Sequence, residues 1–190
     1  MMDPLLQAVT HAYPIWLQAV RQVGWHHAVI ALLYLACAFL CYLHTHWLRE
    51  DLQNPKLWLA ATGVLCLLAA NTVLQGEVWL THTLRALAQA AGWYEARRPW
   101  QYLATLGLVL LAFAGTRWLA SGLANRGTYS VQLSLGFALL LLLMPLRAVS
   151  AHAIDAMLGL RFLGLSLGRV CELTGLGLVL LGSWRSLRYR

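Results

Sequence analysis

The sequence predicts an all-α polytopic membrane helix bundle, about five transmembrane spans with two interfacial amphipathic helices beside them. Composition comes first: 60% of the 190 residues are hydrophobic and 11% charged, where soluble domains approach ~25% charged. Second, runs such as LGLVLLAFAG and FALLLLLMPL lack the polar stripe that each helix of a soluble bundle needs. Third, tryptophans recur near the ends of successive apolar runs, where an indole keeps its ring in hydrocarbon and its N–H among headgroups. The length suits one integral membrane domain, 1–190, with no room for a separate soluble one.

Residues 4–23 open the chain as an interfacial helix. Leu5, Val9, Tyr13, Trp16, Val20 and Val23 recur every three or four positions, with Gln7, His11, Gln18 and Arg21 off that stripe. Pro14 marks where this helix would break. The segment has neither the basic start nor the short apolar core of a cleavable signal peptide.

Spans are expected at about 26–47, 57–75, 101–118, 129–147 and 163–184. Each approximates the ~20 residues that cross a ~30 Å hydrocarbon layer at about 1.5 Å per residue. Trp25 and Trp47, Trp58 and Trp79, and Trp100 and Trp118 bracket the first three. The fourth ends near Pro145, and the fifth ends at Trp184 before Arg185, Arg188 and Arg190. Four spans, or six counting the first helix, fit the same pattern. Connectors 48–56 and 120–128 carry turn chemistry in Asn-Pro and Asn-Arg-Gly. The longer connector 76–99 places Leu80, Leu84, Leu87 and Ala91 on one face of a second interfacial helix, leading into GWYEARRPWQ.

The net charge of +7 does not point to nucleic acid, because the basic residues sit at span ends and form no face interleaved with aromatics. They read as topology and headgroup contacts. Arg21, Arg85, Arg97, Arg98, Arg147, Arg161 and Arg169 fall on one side. Arg49, Lys56, Arg117, Arg126, Arg185, Arg188 and Arg190 fall on the other. Setting aside Arg147, Arg161 and Arg169 as site residues favours a cytoplasmic carboxy terminus. Cys37, Cys41, Cys66 and Cys171 lie in apolar runs and read as small buried hydrophobes.

One stretch departs from the apolar rule. Between Arg147 and Glu172 the chain gathers Ser150, His152, Asp155, Arg161 and Arg169, and Glu172 lies within a hydrophobic run near mid-membrane. A charge in hydrocarbon is costly unless paired, so such residues mark a site or a structural ion pair. Arg169 and Glu172, one helical turn apart, can pair directly; Arg161 is the other candidate. Ser150 and His152 point to nearly opposite faces, which disfavours a nucleophilic pair, whereas His152 and Asp155 can meet. With five spans, GWYEARRPWQ and RAVSAHAID converge on one side of the bilayer.

The candidate site is therefore His152, Asp155 and Glu172 for proton movement or ligand orientation, with Arg97, Arg98, Gln101, Arg147, Ser150 and Arg169 for ligand binding. Adjacent guanidiniums grip phosphate or carboxylate, so the expected partners are the lipid bilayer and an anionic lipid or small carboxylate. No metal ligands are assigned. Haem would need two histidines at matching depth, which His82 and His152 meet only if both dip inward. Gly164, Gly168, Gly175 and Gly182 form a small-residue stripe, suited to packing inside the bundle or to a homo-oligomer face.

GWYEARRPWQ at 92–101, RAVSAHAID at 147–155 and ELTG at 172–175 resemble motifs of a widespread set of small bacterial inner-membrane proteins with no established activity. The resemblance covers roughly the second half of the chain and implies a multi-pass inner-membrane location. Those proteins often carry a second histidine after the first, where this chain has Ala153. A pocket serving transport or lipid modification is the leading functional expectation. A haem- or quinone-binding redox module and a non-catalytic assembly subunit are the alternatives.

Overall fold

The computed structural model describes residues 4–47, 55–92, 97–123, 128–148, 158–162 and 165–188. Among them are seven helices: α1 (Pro4–Arg21), α2 (Trp25–Trp47), α3 (Pro55–Leu74), α4 (Gly76–Ala90), α5 (Arg97–Leu123), α6 (Thr128–Ala148) and α7 (Leu167–Arg188). A minimal hairpin, β1 (Arg161–Phe162) with β2 (Leu165–Ser166), precedes α7. Three helices are long and apolar enough to cross a membrane: Trp25–Thr45, Lys56–Leu74 and Leu167–Arg188. Shorter apolar stretches occupy Leu106–Trp118 of α5 and Val131–Leu143 of α6.

The core forms where α2, α3, α6 and α7 meet. Ile30, Tyr34, Cys37 and Cys41 of α2 pack with Trp58, Leu65 and Leu68 of α3, Leu133, Phe137 and Leu140 of α6, and Leu176 and Val179 of α7. Side-chain pairs give the directions. Tyr34 meets Glu172, Cys37 meets Leu176 and Cys41 meets Ser183, so α2 and α7 run parallel. Ala38 meets Thr62 and His44 meets Trp58, so α3 returns antiparallel to α2. A Cβ built on Gly136 would stand 2.8 Å from the Gly175 carbonyl oxygen, and one on Gly175 would stand 3.0 Å from Leu140. Only glycine permits that approach of α6 to α7. Gly168, Gly175 and Gly182 are all buried within the chain, while Gly164 lies outside the described residues.

α5 packs on α6 and leaves Tyr102, Leu103, Leu106, Leu110, Leu111 and Phe113 exposed, an apolar face suited to lipid. α1 and α4 pack on each other. Their buried positions are Ala8, Ala12 and Ala88, while Leu5, Tyr13, Leu80 and Leu84 point outward. Sequence periodicity found the outward stripe; alanines one turn apart make the joint, because small side chains let two helices approach. Pro14 does not interrupt α1. It is exposed, so the carbonyl it leaves without an amide partner is not sealed inside protein.

Three further expectations change. Trp58 is 3% exposed and stacks on His44 at 4.2 Å and 10°, inside the bundle instead of at a headgroup belt. Cys66 is exposed, although Cys37 and Cys41 are fully buried. α7 starts at Leu167, four residues after the expected start of the last span, because the hairpin comes first. Ser166 precedes the helix and its Oγ accepts the Arg169 backbone N–H at 3.4 Å, the contact of an N-cap.

Candidate functional site

Where α2 and α7 begin and α3 and α6 end, the helices border a partly open polar cavity of about 60 Å³. Its wall comes from His27 and Tyr34 of α2, Leu68, Asn71 and Thr72 of α3, the corner residue Gln75, Glu77 of α4, Leu140 and Leu143 of α6, and Arg169 and Glu172 of α7. A space of this size takes a few water molecules or a small polar group.

Glu172 is the anchor. It stands five residues into α7, roughly 7.5 Å from its start at 1.5 Å per residue. That places it at the polar end of the bundle, and not halfway along the helix. It is 3% exposed. The Tyr34 hydroxyl donates to Oε1 at 3.0 Å, and Arg169 Nη1 donates to Oε2 at 3.1 Å. Both carboxylate oxygens are thus satisfied by groups from two parallel helices, which makes its burial tolerable. The guanidinium side chain is 22% exposed.

A tight corner shapes the opposite wall. Gln75 alone separates α3 from α4 and adopts φ 51° and ψ 40°, a left-handed backbone. Its amide nitrogen donates to the Asn71 carbonyl at 2.9 Å, and its side-chain Nε2 donates to the Thr72 carbonyl at 2.9 Å. Gly76 follows where a Cβ would stand 3.0 Å from Asn71 Oδ1. This turn brings Asn71, Thr72, Gln75 and Glu77 onto one cavity. Trp16 Nε1 donates to the Leu74 carbonyl at 2.6 Å, tying α1 to the same corner.

Of the residues singled out in the sequence, Arg169 and Glu172 meet in this cavity. Arg161 is exposed on β1 and does not line it. Arg97, Arg98 and Gln101 fall in the first turns of α5, and Arg147 in the last turn of α6, one turn beyond Leu143. Their side chains lie outside the described residues, as do Ser150, His152 and Asp155 entirely. Tyr34, Asn71, Gln75 and Glu77 escaped the sequence reading. Asn71, Thr72, Gln75 and Glu77 form a polar cluster ending an apolar run, and that was a usable signal. Nothing local in the sequence marks Tyr34.

His27 Nδ1 is buried at the wall without a hydrogen-bond partner among the described residues. At the other end of the bundle, His44 is buried with Nδ1 against the Leu40 carbonyl at 2.8 Å. His82 belongs to α4, away from the cavity wall. Burial holds its imidazole below the ordinary value of 6.5, reinforced by Arg85 and His11. Among the described residues no three His, Cys, Asp or Glu are placed to hold a metal ion.

Fold and site together define a helical bundle with membrane-length apolar helices and an ion-paired polar cavity at one end. No family model, no curated protein and no solved structure matches the chain.

Proposed function

We propose that the chain is a multi-pass inner-membrane protein whose spans are α2, α3, α5, α6 and α7, with α1 and α4 lying at one interface. In this reading the cavity binds an anionic or amphiphilic ligand, a lipid headgroup or a carboxylate, for transport or a lipid-modifying step. One observation carries it: a guanidinium on a cavity wall, bonded to a buried carboxylate through only one of its nitrogens. Arg169 keeps further N–H donors for an incoming oxyanion while Glu172 and Tyr34 hold it in place.

Position supports the same reading. The cavity lies at the ends of the helices, which is headgroup depth if the bundle spans a bilayer. Arg147 sits one turn beyond its wall on α6, and Arg97 and Arg98 begin α5. These are the arginines expected to add to anion capture, with His152 and Asp155 orienting the ligand.

Native mass spectrometry of the detergent-extracted chain tests the proposal. The wild-type protein is expected to retain a lipid or small-anion mass, which Arg169→Gln loses while still eluting as a folded species. A retained mass unaffected by Arg169→Gln would reject it. A Soret band in the same preparation would favour the haem module instead.

A further inference from the structure

We propose that the cavity is built for a zwitterion, an oxyanion joined by a short chain to a primary ammonium, with Arg169 taking the anion and Glu77 the ammonium. This inference rests on reading the cavity as a ligand site and names the class of ligand.

Charge is the first argument. Two carboxylates and one guanidinium line the described wall. Arg169 and Glu172 compensate each other at 3.1 Å. Glu77, in the first turn of α4, is half-buried, and its carboxylate has no hydrogen bond or ion pair among the described residues. A purely anionic ligand entering this space would share it with the Glu77 carboxylate, in a medium that screens less than water. A purely cationic one would leave the spare donors of Arg169 unanswered. A molecule carrying both charges meets both groups and adds no net charge to a partly desolvated cavity.

Hydrogen bonding narrows the cation. A primary ammonium has three N–H donors and needs acceptors. The same described wall carries the side-chain amides of Asn71 and Gln75. A quaternary ammonium donates no hydrogen bond and is recognised by a cage of aromatic faces. Tyr34 and the His27 imidazole are the only rings on the described wall, and the Tyr34 hydroxyl is engaged by Glu172.

Two sources share this chemistry: the headgroup of an aminophospholipid, and a free zwitterion such as phosphoethanolamine. The full chain, purified in detergent, is offered equal amounts of phosphatidylethanolamine, phosphatidylglycerol and phosphatidylcholine with identical acyl chains. Phosphoethanolamine is offered separately, and bound species are read by native mass spectrometry. The wild-type protein is expected to retain the ethanolamine form, lipid or free, about tenfold over the glycerol and choline lipids, roughly 1.4 kcal/mol. Glu77→Gln should erase that preference and Arg169→Gln should lose all retention.

Retention of phosphoethanolamine without lipid would assign a soluble zwitterion and still support the inference. Wild-type protein favouring phosphatidylglycerol would overturn it while leaving the anion site proposed above intact. A preference unchanged in Glu77→Gln would also overturn it. No retention of any probe would remove both readings. Should Glu77→Gln fail to fold, competition between phosphoethanolamine and glycerol phosphate on the wild-type protein decides the matter, equal competition counting against the inference.

Discussion

Glu172 shows how a carboxylate survives burial in an apolar bundle. Its two oxygens are divided between Tyr34 and Arg169, so neither lone-pair set faces hydrocarbon alone. Tyr34→Phe removes a hydrogen bond to a charged group and is expected to cost about 1.5–3 kcal/mol of stability, read by unfolding in mixed micelles. Combined with Glu172→Leu, which leaves the Tyr34 hydroxyl no acceptor, the loss should be smaller than the sum of the singles, because the two groups share one interaction. Strict additivity would mean the bond contributes nothing. The Arg169–Glu172 pair was legible in the sequence because a spacing of three makes neighbours on any helix. Tyr34 was not, since its partner lies 138 residues away and a phenol in an apolar run resembles core.

At the scale of elements, the tightest joint is the α6–α7 crossing. Gly136→Ala would force its Cβ to 2.8 Å from the Gly175 carbonyl oxygen and the Val179 side chain, and backbone cannot step aside as a side chain can. A destabilisation of about 2 kcal/mol is expected, in the range of overpacked cores. Gly177→Ala, with nothing within 4 Å of the new atom, is the control. It should be neutral or stabilising by up to about 1 kcal/mol, the helix preference of alanine over glycine. Equal effects at both positions would contradict the crossing.

The α1–α4 pair is expected to respond to pH. The His82 imidazole is held below 6.5, so the folded pairing favours its neutral form. Above 6.5 both folded and unfolded forms are neutral and that preference is fully present. As pH falls through 6.5 the unfolded form takes up the proton first, and the pairing weakens. Hydrogen exchange in α1 and α4, corrected for the intrinsic pH effect, should speed up between pH 7.5 and pH 5.5. His82→Gln should abolish the change; persistence in that variant would assign the effect elsewhere. Element positions themselves were readable from apolar periodicity, since a helix needs only its own spacing. The late start of α7 was not: Ser166 competes as an N-cap within an otherwise apolar stretch, and hydropathy does not register caps.

For the whole molecule, chain direction does the organising. α2 and α7 run together while α3 and α6 return, so two helix starts and two helix ends meet at one polar cavity. Parity of the expected spans already gathered polar segments on one side. What parity could not supply is which neighbours touch: the left-handed Gln75 corner, which turns Asn71 and Glu77 onto the same space, depends on packing that one-dimensional spacing does not encode. In the five-span topology proposed above, positions 94 and 153 would share the cavity side of the bilayer.

Topology reporters inserted at 94, 126 and 153, and fused after 190, test that claim most directly. Positions 94 and 153 are expected to report the same compartment, and 126 and 190 the opposite one. Finding 94 and 153 in different compartments would contradict it, because no single polar end could then serve both segments.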